Sequence, residues 1–176
     1  MSLVPIIVWD DWSAPDGSQP DGSVEFQLDQ ELRDALSVAP SLVTTTLVAG
    51  RAAVPLYAND SPGATPANTQ YRYTQNIIGA PSISWWITVP SAPTGSRSVS
   101  DAVVSVGSTA LTSATAAFTS ADVGKYVASP LLPIGTTIAS VTNSTTVVLS
   151  AAATANGSAQ SLLVGASVQL SSLLPF

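Results

Sequence analysis

Short apolar runs broken by turn residues recur along all 176 residues, and no stretch sustains a helical period for long. Leu3 to Trp9 is almost continuously apolar and reads as a strand, either internal or at a sheet edge, with Pro5 favouring a kink or an edge. Asp16-Gly17 and Asp21-Gly22 read as turns. Ser23 to Leu28 then alternates apolar and polar, as a half-buried strand does. Asp29 can cap a short helix over Gln30–Leu36, which places Leu32 and Leu36 on one face. Ser41–Ala49 and Ala52–Tyr57 predict strands around a Gly50-Arg51 turn, followed by strands at Tyr71–Gln75 and Ser82–Val89.

The pattern changes after Pro90–Ser96, a run of proline, glycine and small polar residues that reads as a linker. Strands are predicted at Ala102–Val106, Lys125–Ala128, Thr137–Thr142, Thr145–Leu149 and Ala159–Val164. Turn chemistry separates them at Pro133-Ile-Gly135, Asn143-Ser144 and Asn156-Gly157. Phe118–Gly124 predicts one helical turn, with Ser120 as its cap and Gly124 as its stop. The tail, Gly165–Phe176, abandons this small-residue style, and Val168, Leu170 and Leu173 can rejoin an earlier core or dock on a neighbour.

These elements predict an all-β chain of two small antiparallel sandwich-like or barrel-like domains. The first spans residues 1–92 together with 166–176, and the second, residues 99–165, is an Ig-like β-module inserted before the last strand of the first.

Composition narrows the function. The formal net charge is −6, and the five cations are scattered, which excludes nucleic acid as a main partner. Histidine and cysteine are absent, so imidazole bases, thiolates and nitrogen or sulfur metal sites are absent too. No secretion signal or membrane-length apolar run is expected, and hence no membrane partner. Nine of the eleven acidic residues lie between Asp10 and Asp60, so the first domain should be the acidic one.

Asp10, Asp11, Asp16, Asp21 and Glu25 form the densest set of oxygen ligands. Their spacing fits no helix-loop-helix calcium loop, and a solvated acidic rim is expected rather than a metal site. A carboxylate pair for glycoside hydrolysis, or a serine activated by Lys125, would need supporting groups that the chain lacks. We therefore expect no catalytic residue and no cofactor. The aromatic residues Trp12, Tyr71, Tyr73, Trp85 and Trp86 could stack on a sugar or could be core; adjacent Trp85 and Trp86 must point to opposite faces of a strand.

Two segments also resemble a known family. Ala114-Thr-Ala-Ala-Phe-Thr-Ser-Ala-Asp-Val-Gly-Lys125, Ile134–Thr142 and Thr145–Thr154 together resemble a β-module repeated in tailed-phage virion proteins. Gly22-Ser-Val-Glu-Phe26, Val54–Asp60, Gln70–Tyr73, Trp86–Pro90 and the ending Val168-Gln-Leu-Ser-Ser-Leu-Leu-Pro175 resemble the N-terminal domain of minor tail or fibre proteins from phages of actinobacteria. The resemblance implies a non-enzymatic structural protein located in the virion. Its partners would be major capsid or tail proteins, and homo-oligomerisation, for instance as a trimer, is expected. The given chain has no collagen-like repeat or coiled coil after Phe176, so a capsid decoration or head fibre role fits as well as a tail role. Docking is expected through the apolar ends, Leu3, Val4, Ile6, Ile7, Trp9, Val168, Leu170, Leu173, Leu174 and Phe176. The alternative is an adhesion module that binds a host-surface glycan through the aromatic set.

Overall fold

The computed structural model describes residues 3, 5–14, 16–33, 38–61 and 64–174. The fold is all-β: the described residues hold thirteen strands and two single 3-10 turns, Ser120–Asp122 and Leu170–Leu173. No described helix is long and apolar enough to cross a membrane. The chain divides into two compact units, Met1–Ser91 with Val168–Phe176, and Ala92–Ser167. The second unit is thus inserted before the closing segment of the first.

The first unit holds two sheets. One has the order β13-β1-β4, from Ser167–Gln169, Pro5–Asp11 and Arg51–Tyr57; the other is β3-β2-β5-β6, from Leu42–Thr46, Gly22–Leu28, Tyr71–Ile77 and Ile83–Ile87. Pro5 is the first residue of β1, where a missing N–H does no harm, so β1 is central rather than an edge. Ile6, Val8, Leu56 and Val54 form buried cross-strand pairs between β1 and β4. Val24, Phe26 and Leu28 on β2, with Tyr71 and Tyr73 on β5, are the buried alternate positions of the second sheet. Each such side chain removed from water contributes about 1.5–3 kcal/mol. The Tyr71 hydroxyl links the sheets: it donates to the Tyr57 carbonyl and accepts from the Tyr57 N–H, both at 3.2 Å. Burial pushes that hydroxyl's pKa up to about 12.

Three local expectations are corrected. Residues 29–33 are not helical: the Asp29 carboxylate accepts the Gln70 N–H at 3.0 Å instead of capping a helix. Arg33 exchanges backbone bonds with Thr65 at 2.8 and 2.9 Å, and the rest of the expected helix, including Leu36, lies outside the described residues. The turn between β3 and β4 is Ala49-Gly50, both at positive φ, rather than Gly50-Arg51. Glycine is needed there because a Cβ would sit 2.5 Å from the Trp12 carbonyl oxygen, and the Gly50 carbonyl accepts the Trp12 N–H at 2.7 Å. Gly22 opens β2 instead of making a turn, and a Cβ on it would overlap the Asn76 carbonyl.

The second unit is one six-stranded sheet of order β10-β11-β8-β7-β12-β9, not the two facing sheets of an Ig-like module. Its strands are Arg97–Val104, Ala110–Thr112, Val127–Ala128, Ile138–Asn143, Thr146–Leu149 and Gly157–Val164, numbered β7 to β12 in chain order. Bulges in β12 help it curl, and the two ends of the sheet meet through the bridge Tyr126↔Thr137. Such near-closure shields edges that would otherwise recruit other strands. Val99, Val104, Leu111, Phe118, Ile138, Val147 and Val164 belong to the core it encloses. β7 begins at Arg97, earlier than expected, and β8 was not expected at all.

A buried ion cluster stands at the Phe118–Lys125 corner. Asp122 is 2% exposed and accepts both guanidinium N–H groups of Arg97, at 2.9 and 2.7 Å, and the Lys125 ammonium at 2.9 Å. It also accepts the Thr119 N–H at 3.0 Å, so Thr119, not Ser120, precedes and supports the turn. Arg97 further donates to the Ala116 carbonyl and lies over the Phe118 ring at 5.7 Å. The hydrogen bonds from Arg97, more than any other contact, hold the Asp122 carboxyl far below the usual carboxylate range.

Candidate functional site

Among the described residues, the apolar ends are largely covered by the first unit's own fold. Leu3, Ile6, Ile7 and Leu170 are buried, while Trp9, Val168, Leu173 and Leu174 are half-buried. β1 pairs on both sides, so it has no free edge to offer a neighbouring sheet. Val4 and Phe176 lie outside the described residues. The buried Asp10 carboxylate ties the two segments together, accepting the Ser171 N–H at 2.9 Å and the Gln169 amide at 3.1 Å.

The expected aromatic platform does not assemble either. Tyr71 and Tyr73 are fully buried, and Tyr73 is sandwiched by Phe26 at 5.4 Å and Trp85 at 5.9 Å between ring centres. Burial, and then the charge of Asp10, push the Tyr73 hydroxyl well above its ordinary pKa. The Tyr73 hydroxyl and the Trp12 indole N–H both donate to the Gln75 side-chain oxygen, at 2.8 and 3.1 Å. Strand alternation then decides the tryptophan pair: Trp85 faces Tyr73, and Trp86, opposite Arg72, is 49% exposed. Trp86→Ala is expected to remove the fluorescence most accessible to acrylamide while changing stability by less than about 0.5 kcal/mol. Quenching and thermal melts of the variant check both.

Trp86 stands on the outer face of the β3-β2-β5-β6 sheet, which carries Gln27, Arg72, Thr74 and Ser84. Continuing the same alternation brings Gln70 and Thr88 to the border of a cleft of about 610 Å³. Its described lining comes mostly from the connection between β4 and β5: residues 59–61, 64 and 67–70. Asn59 fixes that connection: it is buried, donates to the Thr69 carbonyl and accepts the Val89 N–H at 2.6 Å. Asp60 accepts the Ser91 N–H at 2.5 Å through one oxygen. The Thr69 hydroxyl is used internally on the Pro66 carbonyl at 2.8 Å. Ser61 differs: its hydroxyl oxygen is buried without a hydrogen-bond partner among the described residues.

The chemistry available here is hydrogen bonding. The lining residues include one carboxylate, amides and hydroxyls, but no lysine or arginine. The acidic set of the first domain does not converge: Asp11 pairs with Arg51 at 2.5 Å, and Asp16 holds its own turn through Ser18, which lowers its pKa. Among the described residues no group of three or more acidic side chains is placed to hold a metal ion. Lys125 is engaged by Asp122 rather than by a serine. Sequence reasoning missed the cleft, although a thirteen-residue connection rich in Asn, Asp, Ser and Pro is longer than most strand connections.

No family model, curated protein or solved structure matches the chain.

Proposed function

We propose that this chain is a non-enzymatic structural protein of a tailed-phage virion, decorating or projecting from the capsid or tail. One observation carries the reading: the residues of the phage-like motif serve to hold the module together. Ala116, Phe118, Asp122 and Lys125 all lie in the contact set built around Arg97 and Asp122, and none is left free for chemistry. A module of this kind acts as a stiff, inert projection.

Major capsid or tail proteins are the partners in this reading, and a symmetric docking site there favours a homo-oligomer such as a trimer. With Leu3, Ile6, Ile7 and Leu170 buried, docking in this reading falls to exposed apolar residues. Val48 and Ile78 are 73% and 78% exposed, and both flank Asp21–Gly22, whose carbonyls accept the Ile78 and Leu47 N–H groups. Antibody labelling and mass spectrometry of purified particles test the role. The chain is expected at a fixed copy number and one repeated location, and Val48→Asp with Ile78→Asp is expected to abolish incorporation. Particles that lack the chain contradict the proposal.

A further inference from the structure

We infer that Asn156 is a self-modification site: in the folded protein the backbone nitrogen of Gly157 displaces its side-chain amide, converting it to aspartate and isoaspartate. The inference does not depend on the virion role. Asn156 is exposed at the entry to β12, and its side-chain oxygen accepts the Val106 N–H at 2.9 Å. Val106 is itself held in place: it bridges Ala153, and the Gly107 N–H donates to the Ala153 carbonyl at 2.9 Å. A fixed N–H at this distance polarises the amide carbonyl and stabilises the negative charge its oxygen gains under attack. The fold also favours the right nucleophile. A Cβ at position 157 would overlap the Leu131 and Gln160 side chains, so the position favours glycine, which leaves its nitrogen unshielded.

The step needs only water. The Gly157 nitrogen loses its proton to hydroxide and attacks Cγ of Asn156. The new C–N bond closes a succinimide, the Cγ–Nδ2 bond breaks, and ammonia leaves with a proton from water. Water then opens the ring at either carbonyl, to aspartate or to isoaspartate, so that water is consumed and ammonia released. In the isoaspartyl product the backbone runs through Cγ, which shifts the chain at the Gly157↔Val104 pair that opens β12. The other asparagines lack this combination. Asn59 is buried, and Asn68, Asn76 and Asn143 precede Thr69, Ile77 and Ser144, whose side chains crowd the attacking nitrogen. Asn143 is the sharpest control, because its side-chain oxygen also accepts a backbone N–H, from Thr145 at 2.9 Å.

The full chain is incubated folded at mildly alkaline pH, digested, and mapped by mass spectrometry with fragmentation that separates aspartate from isoaspartate. Both products are expected at Asn156, formed at least about tenfold faster than at Asn143. A synthetic peptide spanning the Asn156-Gly157 pair measures what the fold contributes. Conversion in the folded chain is expected to match or exceed the peptide's, and a rate as much as about tenfold slower still supports the site. Asn156→Gln should abolish the products at this position and leave the melting temperature unchanged. Conversion more than about tenfold slower than in the peptide, conversion confined to chain unfolded in urea, or equal rates at Asn143 and Asn156 overturns the inference.

Discussion

Asp122→Ala is expected to destabilise the Ala92–Ser167 unit by about 3 kcal/mol, the largest effect of any single polar substitution in the chain. The carboxylate is 2% exposed and organises Arg97, Lys125 and the Thr119 N–H. Its removal leaves two cations and a backbone donor without their acceptor. Lys125→Met should cost less than about 1 kcal/mol, because that ammonium is 36% exposed and weakly bound to the fold. Arg97→Met should fall between the two, since it also loses the Ala116 carbonyl and the Phe118 ring.

The same cluster sets a pH dependence. The folded-state pKa of Asp122 lies below its ordinary value of 3.8. A carboxylate depressed in this way stabilises the fold fully above its unfolded pKa and loses that stabilisation as pH falls. The melting temperature of this unit should therefore be flat from pH 7 to about pH 5 and fall below about pH 4. Asp122→Asn should remove most of the fall. Calorimetric melts across that range, on the native chain and the variant, check the sign.

Asp10→Ala is expected to destabilise the first unit by about 2–3 kcal/mol, through a different mechanism. Asp10 is a buried acceptor that joins β1 to the closing segment 159 and 161 residues away in sequence, at Gln169 and Ser171. Its loss strands the Ser171 N–H and loosens the 3-10 turn Leu170–Leu173 that follows β13. Hydrogen exchange should then show faster opening of the Ile6–Val8 amides while amides of β7 and β12 keep their protection. Equal loosening of both units counts against separate cooperative units.

Much of the fold was legible because alternation survives in short strands. Ser23–Leu28 and Tyr71–Gln75 show their inward faces directly, and the composition break near Pro90 marks the insertion. What could not be read depends on long-range partners. Arg97 lies between the Pro90–Ser96 linker and the first expected strand of the second domain, and nothing local marks it, because its carboxylate partner lies 25 residues downstream. Asp29 and Leu32 fit a helix until Thr65 supplies Arg33 with a strand-like partner. The candidate site shows the same division. The sequence settles that Trp85 and Trp86 oppose one another, but only the pairing Tyr73↔Trp85 decides which is exposed. The apolar termini read equally well as docking surfaces or core, and burial places Ile6 and Leu170 in the core. The cleft escaped notice because turn residues of the 58–70 connection look alike whether they merely reverse the chain or line a site.

One β unit is interrupted in sequence by another whose sheet closes on itself, so that the inserted segment is a self-contained module. Thermal unfolding of the excised segment 92–167, followed by circular dichroism, tests this most directly. All six of its strands pair with one another, and its ion cluster is internal. The segment should therefore show β-type spectra and one cooperative transition, with the acid-sensitive melting assigned to Asp122. A segment that is unfolded alone, or that melts without cooperativity, contradicts the claim.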